Sequence, residues 1–137
     1  MFARTIGLAL AGLAVLGTSG VAVAKERLTP EQRLEKRLEG RVAGEPVDCI
    51  YMPMVRGSTI YDRTAIVYEV GSTLYVNRPE AGARDLDDND VMVTNLHSSQ
   101  LCSIDVVRMH DQSSRFYSGS VFLGKFVPYR KVETASN

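Results

Sequence analysis

Residues 64–77 read TAIVYEVGSTLYVN, and this stretch decides the fold. Two runs rich in β-branched and aromatic residues, 64–70 and 73–77, flank the pair Gly71-Ser72. A two-residue connection with Gly in first position accommodates a type II′ turn, whose twist matches that of the strands it joins. The stretch therefore predicts a tight hairpin. Its register sets Tyr68 against Tyr75 and Val67 against Val76, an aromatic pair on one side and an aliphatic pair on the other. Both faces of the hairpin should then be at least partly covered. Glu69 opposite Leu74 is the discordant pair, next to the turn where solvent is close.

Working outward, further strands are expected at 47–51, 58–61, 91–94, 101–108 and 120–127, separated by turns rich in Gly, Asp, Asn, Ser and Pro. In the run 101–108, Cys102, Ile104 and Val106 share one face and Ser103 and Asp105 the other, which directs the cysteine inward. Gly124 interrupts the last run in the manner of a bulge, and Phe122 and Phe126 are assigned to the core. The pattern predicts a mainly β fold, a small antiparallel barrel or sandwich preceded by a short N-terminal helix.

That helix starts with Thr29 as N-cap, Pro30 at the first helical position and Gln32 three residues after the cap, a capping box. Glu31 near its start and Lys36 and Arg37 near its end suit the helix dipole, and Gly40 is a natural stop. Leu34 and Leu38 form only a narrow apolar stripe, to which Leu28 can add from outside the helix. The expectation is a solvated lead-in helix that docks weakly or sways on a linker at 41–46, with partner binding as the alternative. The domain plan is thus a signal peptide (1–24), a short helix and linker (25–46), a β domain (47–131) and a flexible tail (132–137).

The leader reading rests on Arg4, an uncharged apolar run at 6–16, and the small-x-small site Val21-Ala22-Val23-Ala24. About 20 helical residues are needed to cross a bilayer, so a run of this length favours cleavage near Ala24 over a retained anchor. No cysteine precedes Cys49, which excludes a lipid-modified cysteine directly after the leader. A soluble periplasmic or secreted product without a stable membrane anchor is expected. The whole sequence balances 16 Lys plus Arg against 16 Asp plus Glu. Removing Arg4 leaves the mature chain slightly acidic, which argues against nucleic acid and against anionic lipid as partners.

Export also governs the two cysteines. In an oxidising compartment a Cys49–Cys102 disulfide is the default, contributing about 4 kcal/mol by loop entropy. A zinc site joining them to His97 and His110 lacks the usual C-x-x-C and H-x-x-x-H spacings. No metal or other cofactor is expected. The acidic run 85–90, DLDDND, offers oxygen ligands at alternating positions for calcium. An EF-hand loop begun at Asp85 would need Gly at Asp90 and Glu at Leu96, so an acidic β-turn is the preferred reading. His110-Asp111 with Ser113 and Ser114, and His97 with Ser98 and Ser99, supply residue types for nucleophilic catalysis without a turn that would hold a serine in place. Among the aromatic residues of the C-terminal quarter, Tyr117 and Tyr129 are expected to be exposed, and with Arg115 and Arg130 they form a candidate partner surface.

The runs TAIVYEVGSTLYVNRP (64–79), MVTNLHSSQLC (92–102) and VFLGKFVPYRK (121–131) resemble a group of small, functionally uncharacterised exported proteins of Gram-negative bacteria that carry two cysteines. The resemblance implies that both cysteines belong to a shared scaffold and agrees with export; no activity comes with it. The functional expectation is a non-enzymatic binding module that meets another envelope protein or a cell-wall component. The alternatives are a small periplasmic hydrolase using His110 or His97, and a calcium-stabilised structural module.

Overall fold

The computed structural model describes residues 20, 22 and 24–133. The expected leader lies outside these residues except at 20, 22 and 24, and the expected tail lies outside them from 134 on. One helix, α1 (Pro30–Leu38), precedes ten strands: β1 (Arg41–Ala43), β2 (Cys49–Tyr51), β3 (Val55–Tyr61), β4 (Ala65–Val70), β5 (Thr73–Asn77), β6 (Asp90–Thr94), β7 (Gln100–Cys102), β8 (Val106–Asp111), β9 (Tyr117–Phe122) and β10 (Phe126–Lys131). They form an antiparallel sheet of order β1-β10-β5-β4-β3, a second of order β6-β8-β9, and the pair β2-β7. The sheets do not close into a barrel, so the fold is a sandwich. Among the described residues no helix is long and apolar enough to cross a membrane.

The β4–β5 hairpin has the expected register, with Tyr68 opposite Tyr75, Val67 opposite Val76 and Glu69 opposite Leu74. Gly71 has φ +59° and Ser72 does not share the positive sign, the type II′ pattern. Alternation sends the two sets of side chains into two cores. On one face Ile66 and Tyr68 join Ile50, Leu101, Val107, Met109, Val121 and Phe126 between the sheets, with the Tyr68 and Phe126 rings edge-to-face at 5.8 Å. Burial pushes the Tyr68 hydroxyl pKa up. On the other face Ala65, Val67, Leu74 and Val76 form a second core.

The cover of that second core is α1, which corrects the expectation of a weakly docked helix. Leu34 is 0% exposed among Tyr61, Ala65, Val67, Leu74 and Val76, with Leu38 and Tyr129 alongside. The capping box forms as read: Gln32 N donates to Thr29 Oγ1 (3.2 Å) and Thr29 N to Gln32 Oε1 (2.9 Å). Arg78 makes a two-point pair with Glu31 (2.6 and 3.0 Å), which holds the Glu31 pKa below its usual value, and Arg37 pairs with Glu69. A two-leucine stripe suffices because the apolar area it must match is a single strip of sheet. Residues 41–43, read as linker, instead pair with β10, and Gly44 N donates to Pro128 O (2.7 Å).

Two runs read as single strands are each broken by a corner. Within 101–108, the Asp105 carboxylate accepts the Cys102 N–H (2.7 Å) and closes a turn that leaves Ile104 90% exposed rather than inward. Within 120–127, the chain crosses between sheets at Leu123-Gly124-Lys125. There the fully buried Asn77 accepts from Gly124 N (3.0 Å) and donates to Gly124 O (2.7 Å). A Cβ on Gly124 would lie 2.4 Å from Arg78 O, so the corner requires glycine. The corner also resets the alternation: Phe126 is fully buried, but Phe122, expected in the core, is 50% exposed. Cys49 and Cys102 stand opposite each other on β2 and β7 and are joined by the expected disulfide, 53 positions apart in sequence.

Candidate functional site

The β6-β8-β9 sheet has one face in the core and one face open. Met92, Val107, Met109 and Val121 point inward. Register and alternation put Val91 and Val93 of β6, Val106, Arg108 and His110 of β8, and Tyr117, Ser120 and Phe122 of β9 on the outer face. Its apolar members stay open to solvent: Val91 44%, Val93 42%, Val106 37%, Tyr117 60% and Phe122 50%. Exposed apolar groups gathered on one face mark interaction surfaces more often than the same groups scattered singly.

One corner of this face is held rigidly by the β8–β9 turn. The Asp111 carboxylate accepts from Ser114 N (2.7 Å), Ser113 Oγ (2.7 Å) and Ser113 N (3.1 Å). These bonds, the Ser114 backbone N–H foremost, pull the Asp111 pKa down to about 2. Arg115 takes a left-handed φ of +64°, and its carbonyl lies 3.3 Å from His110 Nδ1, so the tautomer protonated there donates to it. The ladder then slips by one residue between Met109 and His110, setting His110 against Tyr117. Their rings meet edge-to-face at 5.9 Å, and the Tyr117 and Ser120 hydroxyls share a 2.8 Å hydrogen bond.

Of the residues singled out from sequence, Arg115 and Tyr117 are exposed at this corner. Tyr129 and Arg130 lie on β10 of the other sheet, where Tyr129 is half-buried against the second core and Arg130 is exposed. The structure thus divides the expected four-residue surface: Arg115 and Tyr117 lie in the β8–β9 turn and at the start of β9, Tyr129 and Arg130 on β10 of the other sheet. Val91, Val93, Val106 and Phe122 went unread as surface residues because their common face exists only once β6, β8 and β9 pair. The signal for part of it is present: Phe116 and Tyr117, 77% and 60% exposed, directly follow the β8–β9 turn.

Among the described residues no hydrogen bond links His97 or His110 to a serine or a carboxylate; Asp111 serves its own turn instead. Within the acidic run 85–90, residues 86–89 form a loop anchored by the buried Leu86, Asp90 opens β6, and Asp62, Asp87 and Asp88 bring carboxylate oxygens within 4.8 Å of one another. Each of the three carboxylates has a partner in the protein. Arg33 reaches Asp62 (3.8 Å) and Asp88 (3.7 Å), Asp62 accepts from Asp88 N (2.7 Å), and Asp87 accepts from Asn89 N (2.8 Å). The cluster staples α1 to the loop. No known protein family, curated protein or solved structure matches the chain.

Proposed function

We propose that this chain is an exported, non-enzymatic binding module of the cell envelope and that the outer face of β6-β8-β9 meets its partner, a protein. Export rests on the leader pattern at 1–24 and is supported by the Cys49–Cys102 disulfide, a bond that persists in oxidising compartments. The resemblance to small exported two-cysteine proteins points the same way. A periplasmic or secreted location follows.

The observation that carries the binding reading is one-sided exposure. Five apolar side chains, Val91, Val93, Val106, Tyr117 and Phe122, stay open on the face opposite the core, with Arg108 and His110 among them. Aromatic residues and Arg dominate the energetics of protein interfaces. Three valines beside the rings favour a protein over a wall glycan, since a sugar ring needs hydrogen-bonding groups where the valines stand.

A photo-reactive amino acid at position 122 or 93 of the full-length chain, expressed in its native host, tests this. The expected result is a discrete protein adduct from both positions, none from the exposed Lys131 on the other sheet, and loss of the adduct when Tyr117 is replaced by Ser. Equal labelling from position 131, or binding to purified cell wall that competes the adduct away, overturns the reading.

A further inference from the structure

The hydrogen-bond phase of the two sheets can be followed residue by residue to their edges. The two-residue turn makes Val70 and Thr73 the closing hydrogen-bonded pair, and exchange alternates along an antiparallel ladder. Val70, Tyr68 and Ile66 therefore bond β5, while Glu69, Val67 and Ala65 bond their β3 partners Gly57, Thr59 and Tyr61. Ser58 and Ile60, between them on the edge strand β3, turn their N–H and C=O groups away from the sheet. In the other sheet Gln112 N donates to Asn89 O (3.3 Å), which sets the phase of β6 on β8. Val91 and Val93 bond β8, and Met92 and Thr94 turn their backbone groups outward from the edge strand β6.

These two edges border the same seam. Arg63 N donates to Leu86 O (3.1 Å) and Asp88 N to Asp62 Oδ1 (2.7 Å), tying the end of β3 to the start of β6. Beyond this tie, among the described residues, β3 and β6 are not hydrogen-bonded neighbours. A cleft of about 510 Å³ separates Ser58, Thr59 and Ile60 from Asp90, Val91 and Met92. It leads to a second pocket of about 240 Å³ between Val55 and Thr94, with Met52, Tyr68 and Leu101 among its walls.

We infer that this seam is a strand-acceptor slot, in which an extended segment of a partner protein lies between β3 and β6 and takes the outward backbone groups of Ser58, Ile60, Met92 and Thr94. Unpaired edge groups are a template for an added strand, and the apolar walls Met52, Met92 and Leu101 give alternate side chains of that segment a place to bury. A second copy of this chain fits poorly. Its own edge strand comes attached to a sheet, which can lie along one wall but cannot enter between two. The seam shares Val91 with the exposed outer face but engages its occupant through the backbone of Ser58, Ile60, Met92 and Thr94, and it is tested separately.

The test pans a displayed heptapeptide library on the purified disulfide-bonded mature chain, then measures the best synthetic heptapeptide by titration. Selected sequences should lack proline at their centre and carry apolar residues at alternate positions. N-methylating central residues of either parity should weaken binding about tenfold, because each faces one wall. Ser58→Pro should cost about tenfold in affinity while Ser58→Ala binds normally, since proline at an outward edge position removes one N–H and spares the β4 ladder. Should Ser58→Pro fail to fold, amide exchange of the unmodified protein decides. The Ser58, Ile60, Met92 and Thr94 amides should exchange freely alone and slow about tenfold with the heptapeptide bound. Four outcomes overturn the slot: no enriched peptide, binding indifferent to N-methylation, these amides protected in the free protein, or a concentration-dependent dimer that Ser58→Pro abolishes.

Discussion

Replacing Leu34 by Ala tests whether α1 is a structural layer of the fold. Leu34 has no solvent exposure and packs among Tyr61, Ala65, Val67, Leu74 and Val76. Truncation at a site so enclosed costs about 2–5 kcal/mol, the lost transfer energy plus the cavity left between helix and sheet. Against a total stability of about 5–15 kcal/mol for a domain of this size, the loss is large. It should lower the melting temperature by about 8–20 °C. The chain has no Trp, so urea titrations should follow tyrosine fluorescence and far-ultraviolet circular dichroism together. Leu38→Ala, at a half-buried position, should cost less than Leu34→Ala, and Arg37→Ala, an exposed ion-pair partner, no more than about 1 kcal/mol. Limited trypsin digestion separates global from local opening, because Arg33, Lys36 and Arg37 are cleavable only when the helix leaves the sheet. A Leu34→Ala protein within about 0.5 kcal/mol of the parent, with unchanged cleavage at these sites, would refute the argument.

Four further outcomes follow from the same structure. Asn77→Leu removes both bonds to the Gly124 backbone and should destabilise by about 1–3 kcal/mol for each orphaned buried group, read by the same urea titration. Phe126→Ala should cost about 3–5 kcal/mol, whereas Phe122→Ser should leave stability nearly unchanged, and the opposite order would invert the assignment of the two faces. Replacing both Cys49 and Cys102 by Ser should remove about 4 kcal/mol, and intact mass of the parent should show no alkylatable thiol before reduction. The Asp111 carboxyl should titrate near 2 by carbon NMR, and Ser113→Ala should raise that value. Because its pKa is depressed from 3.8, what this carboxylate contributes to the β8–β9 turn is complete above 3.8 and is lost as pH falls through about 2.

Local determinants were legible in the residues themselves. The hairpin at 64–77 turns on Gly71, which supplies the positive φ, and the helix starts where Thr29 and Gln32, three positions apart, satisfy each other's amides, so local spacing fixes both. The pairing of Cys49 with Cys102 followed from there being two cysteines. Of the two tyrosines expected at the surface, Tyr117 is exposed and Tyr129 is half-buried.

Tertiary structure decided which side of each strand is covered. Phe122 and Phe126 have the same parity in an unbroken strand and opposite fates in the protein, because the Gly124 corner, clamped by the distant Asn77, resets the period of two. Ile104 is expelled for a similar reason, by the Asp105 carboxylate capturing the Cys102 amide. The linker at 41–43 becomes a strand only because β10 offers an edge, and α1 becomes a roof only because β4 and β5 present an apolar strip beneath it. The outer face of β6-β8-β9 and the seam beside β6 are likewise invisible in one dimension. A sequence carries the alternation of a strand, but the partner that buries one phase of it arrives from residues far along the chain.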